Sequence, residues 1–264
     1  MKKFDQWRAA RHTRNSSYRE ALDALPAGLE AYWRHSAPHE YQGIRTDAFF
    51  FVRAAEGLLT FFDVVTRSGK PCALPSEAAD SVWHAWLRWN PVALDYFCIE
   101  RFGRRIPHIE RAGLASGALL NTYTACHTLC GKLPRKPRLP PLFRLDARLR
   151  MRGGHGYWRR KGAILYARVG TQGWRLGQAS PHPELTAGAL YVAGLADRQV
   201  LAAELGRRRQ GQDGGGGSCG GDAGLAFADG DCEAGGDGGG DGGGGDGGSS
   251  CGSSCGGGCG GGGD

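Results

Sequence analysis

Several features that mark common protein classes are missing from this 264-residue chain. The first residues, MKKFDQWRAARHTR, are basic but lack the apolar stretch of a secretory signal peptide. The longest uncharged apolar run, Ala187 to Ala196, has about ten residues, whereas a membrane-spanning helix needs about 20. We therefore expect a cytoplasmic protein without a membrane span, in which cysteine thiols stay mostly reduced.

Lysine and arginine are missing from the last 54 residues, Gly211 to Asp264. This segment holds 28 of the 46 glycines and nine acidic residues, so it cannot bury enough apolar surface to offset its backbone entropy. We predict a disordered tail over 211–264. The remaining chain has 33 basic and 17 acidic side chains, a net charge of +16 that indicates either a solvated, arginine-rich surface or a polyanionic partner. A protein partner, or the acidic tail folded back on the basic body, is the alternative occupant of that surface.

The most informative stretch, Leu74 to Glu110, predicts two helices that meet at Asn90-Pro91. Ser76 can cap the first helix, and apolar side chains then recur at helical spacing. This first stripe contains Ala79, Val82, Trp83, Trp86 and Leu87. The second helix starts with Pro91 after the Asn90 cap, and Gly103 is well placed to end it. Its apolar face contains Leu94, Phe97, Cys98 and Phe102.

Motifs within this pair are similar to a known family signature. They are Trp83-His84, Tyr96-Phe97-Cys98, Phe102-Gly103-Arg104 and the histidine at 108. With these motifs, residues 45 to 135 resemble the glycine-rich domain-containing protein-like family of plants and bacteria, and the tail is a weaker second match. That family usually carries a His-His pair followed by proline, whereas this chain has Pro107-His108-Ile109-Glu110. The resemblance implies a fold type without an established activity.

The whole chain predicts a mainly α fold. Thr46 to Arg67 is the most apolar helix and is expected to form the centre of the core, with Thr46 as its cap. A further helix is predicted over 114–131. Four prolines and four basic residues between Leu133 and Leu145 are typical of an extended linker. We then predict a hairpin of Ala163–Val169 and Trp174–Gln178, a third strand at Leu190–Val192 and a helix over Leu195–Arg209.

These elements indicate five parts of the chain. They are an N-terminal extension (1–14), a helical domain (15–132), a Pro-rich basic linker (133–147), a small basic segment with a predicted hairpin (148–210) and the tail (211–264).

Histidine and cysteine side chains form the candidate metal site. The candidates are His84, Cys98, His108, Cys126, His127 and Cys130. Imidazole and thiolate are zinc ligands, and Cys126 and Cys130 are one helical turn apart. Zinc ribbons instead space their cysteines by two residues, so reduced core thiols and a buried histidine are the alternative. A catalytic Cys-His pair is not indicated, because neighbouring side chains on a helix point about 100° apart.

Two further sets of residues are candidates for binding. Arginines and aromatic rings between Arg148 and Lys161 are suited to stacking on bases and pairing with phosphates, although a solvated basic surface is the alternative. That set is Arg148, Arg150, Arg152, Tyr157, Trp158, Arg159 and Arg160. Cys251, Cys255 and Cys259 recur every four residues in the tail. They could bind soft metals or form cross-links, and a purely solubilising tail is the alternative. We expect a non-enzymatic interaction module, with a zinc-binding or thiol-dependent protein and a nucleic-acid-binding protein as alternatives.

Overall fold

The computed structural model describes residues 2–109, 113–129, 138–160 and 162–212. Within them the predicted mainly α fold is confirmed, with ten α-helices and one small antiparallel sheet. No helix among these residues is both long and apolar enough to cross a membrane. The predicted disordered tail lies outside the described residues except for Gly211 and Gln212, which end the last helix. Cys251, Cys255, Cys259 and Cys130 also lie outside the described residues.

The elements follow one another from the N-terminus with short connections. The helices are α1 (Lys2–Asn15), α2 (Arg19–Asp23), α3 (Leu29–Glu40), α4 (Ala48–Ser68), α5 (Glu77–Trp89), α6 (Pro91–Phe102), α7 (Ala118–Leu129), α8 (Leu145–Leu149), α9 (Ala187–Val192) and α10 (Arg198–Gln212). A 3-10 helix, Pro141–Arg144, precedes α8. Strands β1 (His155–Arg160), β2 (Ala163–Val169) and β3 (Arg175–Pro181) pair in the order β1-β2-β3.

Helix α4 forms the centre of the core, as its sequence predicts. It packs against α1, α2, α5, α6, α7 and α8. Its cap is Asp47 rather than the predicted Thr46, since the Asp47 side chain accepts a 3.0 Å hydrogen bond from the backbone N–H of Phe50. Gly57 faces α8 so closely that a Cβ there would lie 2.3 Å from a methyl carbon of Leu145. A side chain at position 57 would therefore force the Leu145 side chain to move.

The predicted helix pair is confirmed as α5 and α6. Ser76 accepts from the N–H of Ala79 at 3.2 Å, and Asn90 accepts from the N–H of Ala93 at 2.9 Å. Gly103 ends α6 in the left-handed conformation, with φ of 74°. The tryptophan and phenylalanine faces meet in the interior, where Trp86 and Phe97 have ring centroids 4.9 Å apart. Local capping signals were therefore enough to predict this pair.

Residues predicted to lie outside the helical domain contribute to it. The expected N-terminal extension is helix α1, which packs on α4 through a 2.7 Å contact between His12 Nε2 and Glu56 Oε2. Within the expected linker, residues 138–147 are folded rather than extended, because their apolar side chains enter the core between the prolines and arginines. These buried side chains are Leu139, Leu142, Phe143 and Leu145.

The small sheet contains the predicted hairpin as β2 and β3. Strand β1, which sequence analysis did not identify, pairs with β2 and includes Tyr157 and Trp158. The predicted third strand at Leu190–Val192 is wrong, since these residues end helix α9. Thr186 caps that helix by accepting from the N–H of Ala189 at 3.2 Å, and Leu190 is fully buried.

A buried carboxylate connects α8, β1 and the N-terminus of α5. Asp146 is 1% exposed, and its Oδ1 accepts from the Ser76 hydroxyl at 2.6 Å and from the N–H of Ala78 at 3.0 Å. Its Oδ2 accepts from the N–H of Glu77 at 3.0 Å and of His155 at 2.8 Å. Burial raises the pKa of Asp146, and these four donors oppose that rise. Every partner can donate, which suits an ionised carboxylate at the positive end of a helix.

We expect Asp146→Asn to lower the free energy of unfolding by about 3 kcal/mol, because the amide NH₂ would face backbone N–H groups that need an acceptor. Urea denaturation measures this change. Asp197→Asn is the matched control, since Asp197 is exposed and caps α10 through a 2.8 Å bond from the N–H of Val200. Asparagine caps as well as aspartate, so the control should change stability by less than about 0.5 kcal/mol. Equal effects of the two substitutions would contradict the role given to Asp146.

Candidate metal centre

Two histidines and one aspartate converge at the outer edge of α5. His84 Nε2 lies 3.1 Å from His108 Nε2 and 3.5 Å from Asp80 Oδ2. His108 Nε2 lies 3.4 Å from Asp80 Oδ1. We call Asp80, His84 and His108 the triad. Within the described parts of the chain, these three are the one group of histidine, cysteine and carboxylate side chains close enough to share a metal ion.

The triad is assembled from a helix and a returning loop. Asp80 and His84 are four residues apart on α5 and therefore lie on one face of it. After α6 ends, Gly103 turns the chain and buried Ile106 anchors the following loop, which brings His108 back over α5. The His108 ring also contacts Trp83 edge to face, with centroids 4.6 Å apart.

A shell of hydrogen bonds orients the His84 ring. Glu40, at the end of α3, places Oε1 2.5 Å from His84 Nδ1, and Arg88 holds the other Glu40 oxygen at 2.7 Å. Because a carboxylate accepts hydrogen bonds, this contact favours the ring form with the proton on Nδ1. The lone pair on Nε2 then faces His108 and Asp80. Tyr41 donates to Asp80 Oδ2 at 3.2 Å. Burial, together with the charges of Asp80, Glu40 and Glu77, raises the Tyr41 pKa, so its hydroxyl stays a donor.

The triad forms part of the wall of a cavity of about 470 Å³. Most of the remaining wall is apolar and comes from α4, α5 and the loops on either side of the helix pair. It includes Phe61, Val65, Leu74, Trp83, Ile106 and Leu114. The three triad side chains are 19 to 26% exposed, so they are accessible from this cavity without being fully solvated. A ligand in the cavity could therefore reach an ion held by the triad.

The structure separates the predicted cysteine ligands from the two histidines. Cys98 is 1% exposed on the inner face of α6, and burial, aided by the charge of Asp95, raises its pKa to about 12. Cys98 therefore lies in the core, and it is not among the side chains that group with the two histidines in the described residues. Cys126 and His127 are buried on α7, outside the triad, and Cys130 lies beyond the described residues. Of the predicted metal-site residues, the described structure places His84 and His108 together.

Sequence analysis missed Asp80, Glu40 and Tyr41 as parts of the site. Asp80 was not among the candidates, although its four-residue spacing from His84 already placed both side chains on one helix face. Glu40 and Tyr41 lie more than 40 residues earlier in the chain. Only the packing of α3 against α5 brings them to His84. No short-range pattern indicates that contact.

The candidate nucleic-acid residues are spread over α8, its C-terminal turn and β1. Tyr157 is 3% exposed and packs on Phe143 with centroids 5.1 Å apart, so its ring is not available for stacking on a base. Trp158 is half-buried. Arg150, Arg152 and Arg160 are exposed, whereas Arg148 and Arg159 are half-buried. Nucleic-acid binding by this segment stays a prediction that rests on charge alone.

Comparison with known proteins found no relative. No family model, no curated protein and no solved structure matches this chain. The resemblance to the glycine-rich domain-containing protein-like family therefore stays a prediction.

The buried histidine of α7 is expected to make stability depend on pH. His127 is 4% exposed, and its ring contacts Tyr123 edge to face with centroids 4.7 Å apart. Burial, together with the charge of Arg159, lowers the pKa of His127 to about 4. Unfolded histidine has a pKa of about 6.5, so only the unfolded state gains a proton as the pH first falls below that value. The stabilising contribution is complete above pH 6.5 and is lost as the pH falls toward 4.

At pH 5 this loss amounts to about 2 kcal/mol relative to pH 7, and His127→Phe should remove that part of the pH dependence. Urea denaturation at both pH values measures it. His39→Gln, on the exposed end of α3, is the control and should leave the dependence unchanged. If His127→Phe loses as much stability between pH 7 and pH 5 as the natural chain, the interpretation of His127 is wrong.

Proposed function

We propose that this protein binds a divalent transition-metal ion, best matched by zinc, through Asp80, His84 and His108. The observation that carries the proposal is the convergence of three donor groups: the two Nε2 atoms lie 3.1 Å apart, and each lies within 3.5 Å of a different oxygen of Asp80. Zinc bonds of about 2.0–2.1 Å at tetrahedral angles separate neighbouring ligand atoms by about 3.3 Å.

The contacts behind the triad support the same proposal. Metal-bound histidines commonly donate their second ring N–H to a carboxylate, and Glu40 receives the Nδ1 side of His84 at 2.5 Å. Arg88 in turn donates to the other Glu40 oxygen at 2.7 Å and so fixes the carboxylate in place. A pair of histidines that served only to share a hydrogen bond would need neither this carboxylate nor the nearby Asp80.

Three protein ligands leave a fourth position of a tetrahedral ion open. Zinc sites that only stabilise a fold are usually closed by four protein ligands, whereas sites that bind or activate a small molecule keep one position free. Here the triad lies in a cavity wall, so the free position has a cavity to face. We propose a metal site that receives a ligand, in place of the predicted site with Cys98.

Zinc content of the purified chain tests the proposal. All measurements use the full chain with serine at Cys219, Cys232, Cys251, Cys255 and Cys259, so that tail thiols do not contribute. We expect about one zinc per chain, because three donors are already arranged for it. His84→Ala and His108→Ala should each lower the zinc content to less than about a tenth, whereas Cys98→Ala should leave it unchanged.

The outer shell gives a graded result. Glu40→Gln should weaken zinc binding by about 10- to 100-fold while circular dichroism stays unchanged, because it loosens the orientation of His84 without removing a ligand. Competition with a chromophoric chelator measures the affinity. Zinc retained in the two histidine variants, or lost in Cys98→Ala, would refute the triad as the binding site.

A further inference from the structure

The cavity beside the triad has the size and wall of a small-molecule site. Its volume of about 470 Å³ falls within the about 300–1,000 Å³ typical of ligand pockets. One side is formed by apolar groups, among them Phe61, Leu74 and Ile106. The polar groups of the wall are fewer and include the triad. A ligand that matches this wall has an apolar body and one polar end.

The charges of the wall indicate the sign of that polar end. The charged side chains lining the cavity are Lys70, Glu77, Asp80 and Arg104, which sum to zero. A divalent ion on the triad raises the sum to +2. The cavity therefore attracts an anion when the metal is bound and has little preference for charge when it is not.

The chemistry of the open position narrows the ligand further. A zinc ion with a free coordination position takes an oxygen anion well, and a carboxylate is small enough to coordinate it while its apolar body lies against the wall. Lys70 and Arg104 are exposed side chains at the same cavity and add positive charge around the entering group. A larger, multiply charged anion would leave part of the apolar wall uncovered.

We infer that this cavity binds a small hydrophobic monocarboxylate, whose carboxylate coordinates the metal on the triad and whose apolar part packs against α4, α5 and the loops on either side of the helix pair. This inference rests on the proposed metal-binding function and adds the class of ligand to it. No bond is formed or broken in the binding step apart from the metal coordination.

A matched pair of probes tests the inference on the full chain with serine at the tail cysteines. We measure binding of 4-phenylbutanoate and of 4-phenylbutan-1-ol by calorimetry, with the protein loaded with zinc and with the protein stripped of it. Zinc should tighten binding of the carboxylate by at least about ten-fold and change binding of the alcohol by less than about two-fold, since only the carboxylate gains a charged contact. Protein loaded with cobalt(II) should change its visible absorption on addition of the carboxylate and not of the alcohol.

Leu114→Trp locates the ligand. Leu114 is a half-buried part of the cavity wall, so a larger side chain there fills the cavity from its edge. This variant should lower the affinity for both probes by about ten-fold or more, because the apolar body loses its space. Metal content is measured in the same samples. Unchanged affinity for both probes would place them elsewhere on the protein and overturn the inference.

The remaining outcomes separate the inference from the proposed function. If the chain binds zinc but takes the carboxylate no more tightly than the alcohol, the inference fails and the metal-binding function stands. If the carboxylate binds equally well with and without zinc, the metal is not its anchor and the inference also fails. If the chain binds no metal at all, the proposed function fails and the inference falls with it.

Discussion

The hydrogen bonds of Asp146 hold the N-terminus of α5 in place, and the candidate site depends on that helix. The first backbone N–H groups of a helix have no partner within it, and a buried helix start therefore needs an acceptor from elsewhere. Asp146 supplies this acceptor to Glu77 and Ala78 from a segment about 70 residues away. Gly154 makes room for the carboxylate, since a Cβ there would lie 2.5 Å from Asp146 Oδ2. The Asp146 carboxylate thus fixes the start of α5 relative to β1.

From this fixed start, α5 carries the site on its outer edge and the core on its inner face. Trp83 and Trp86 point inward, while Asp80 and His84 lie toward the cavity. Each neighbouring element then adds one component. The end of α3 brings Glu40, and the loop after α6 brings His108. Because Trp83 also packs against His108, the core and the site share one side chain, and movement of α5 would disturb both.

The features that could be predicted from the sequence are those that depend on residues close to one another in the chain. Helices α5 and α6 were predictable because their caps, Ser76 and Asn90, bind N–H groups three residues away. The folded part of the expected linker was not, because its prolines and arginines suggested an extended chain, whereas burial of side chains such as Phe143 depends on α4 and β1. His84 and His108, by contrast, were identified as candidate metal ligands, because imidazole is a common zinc ligand whatever the packing around it. Asp80 and Glu40 were missed, because their role depends on distant packing.

The burial pattern also explains why a metal would bind here without being needed for the fold. Small domains that need zinc to fold have cores too small to be stable alone. This chain instead buries Trp33, Trp86, Phe50 and Phe62 in one core without help from the triad. The two Nε2 atoms lie 3.1 Å apart, a distance at which one neutral ring can donate a hydrogen bond to the other, so the two histidines can satisfy each other without a metal ion. A metal ion bound at the triad would add its binding free energy to the stability of the folded state, but the core does not depend on that contribution.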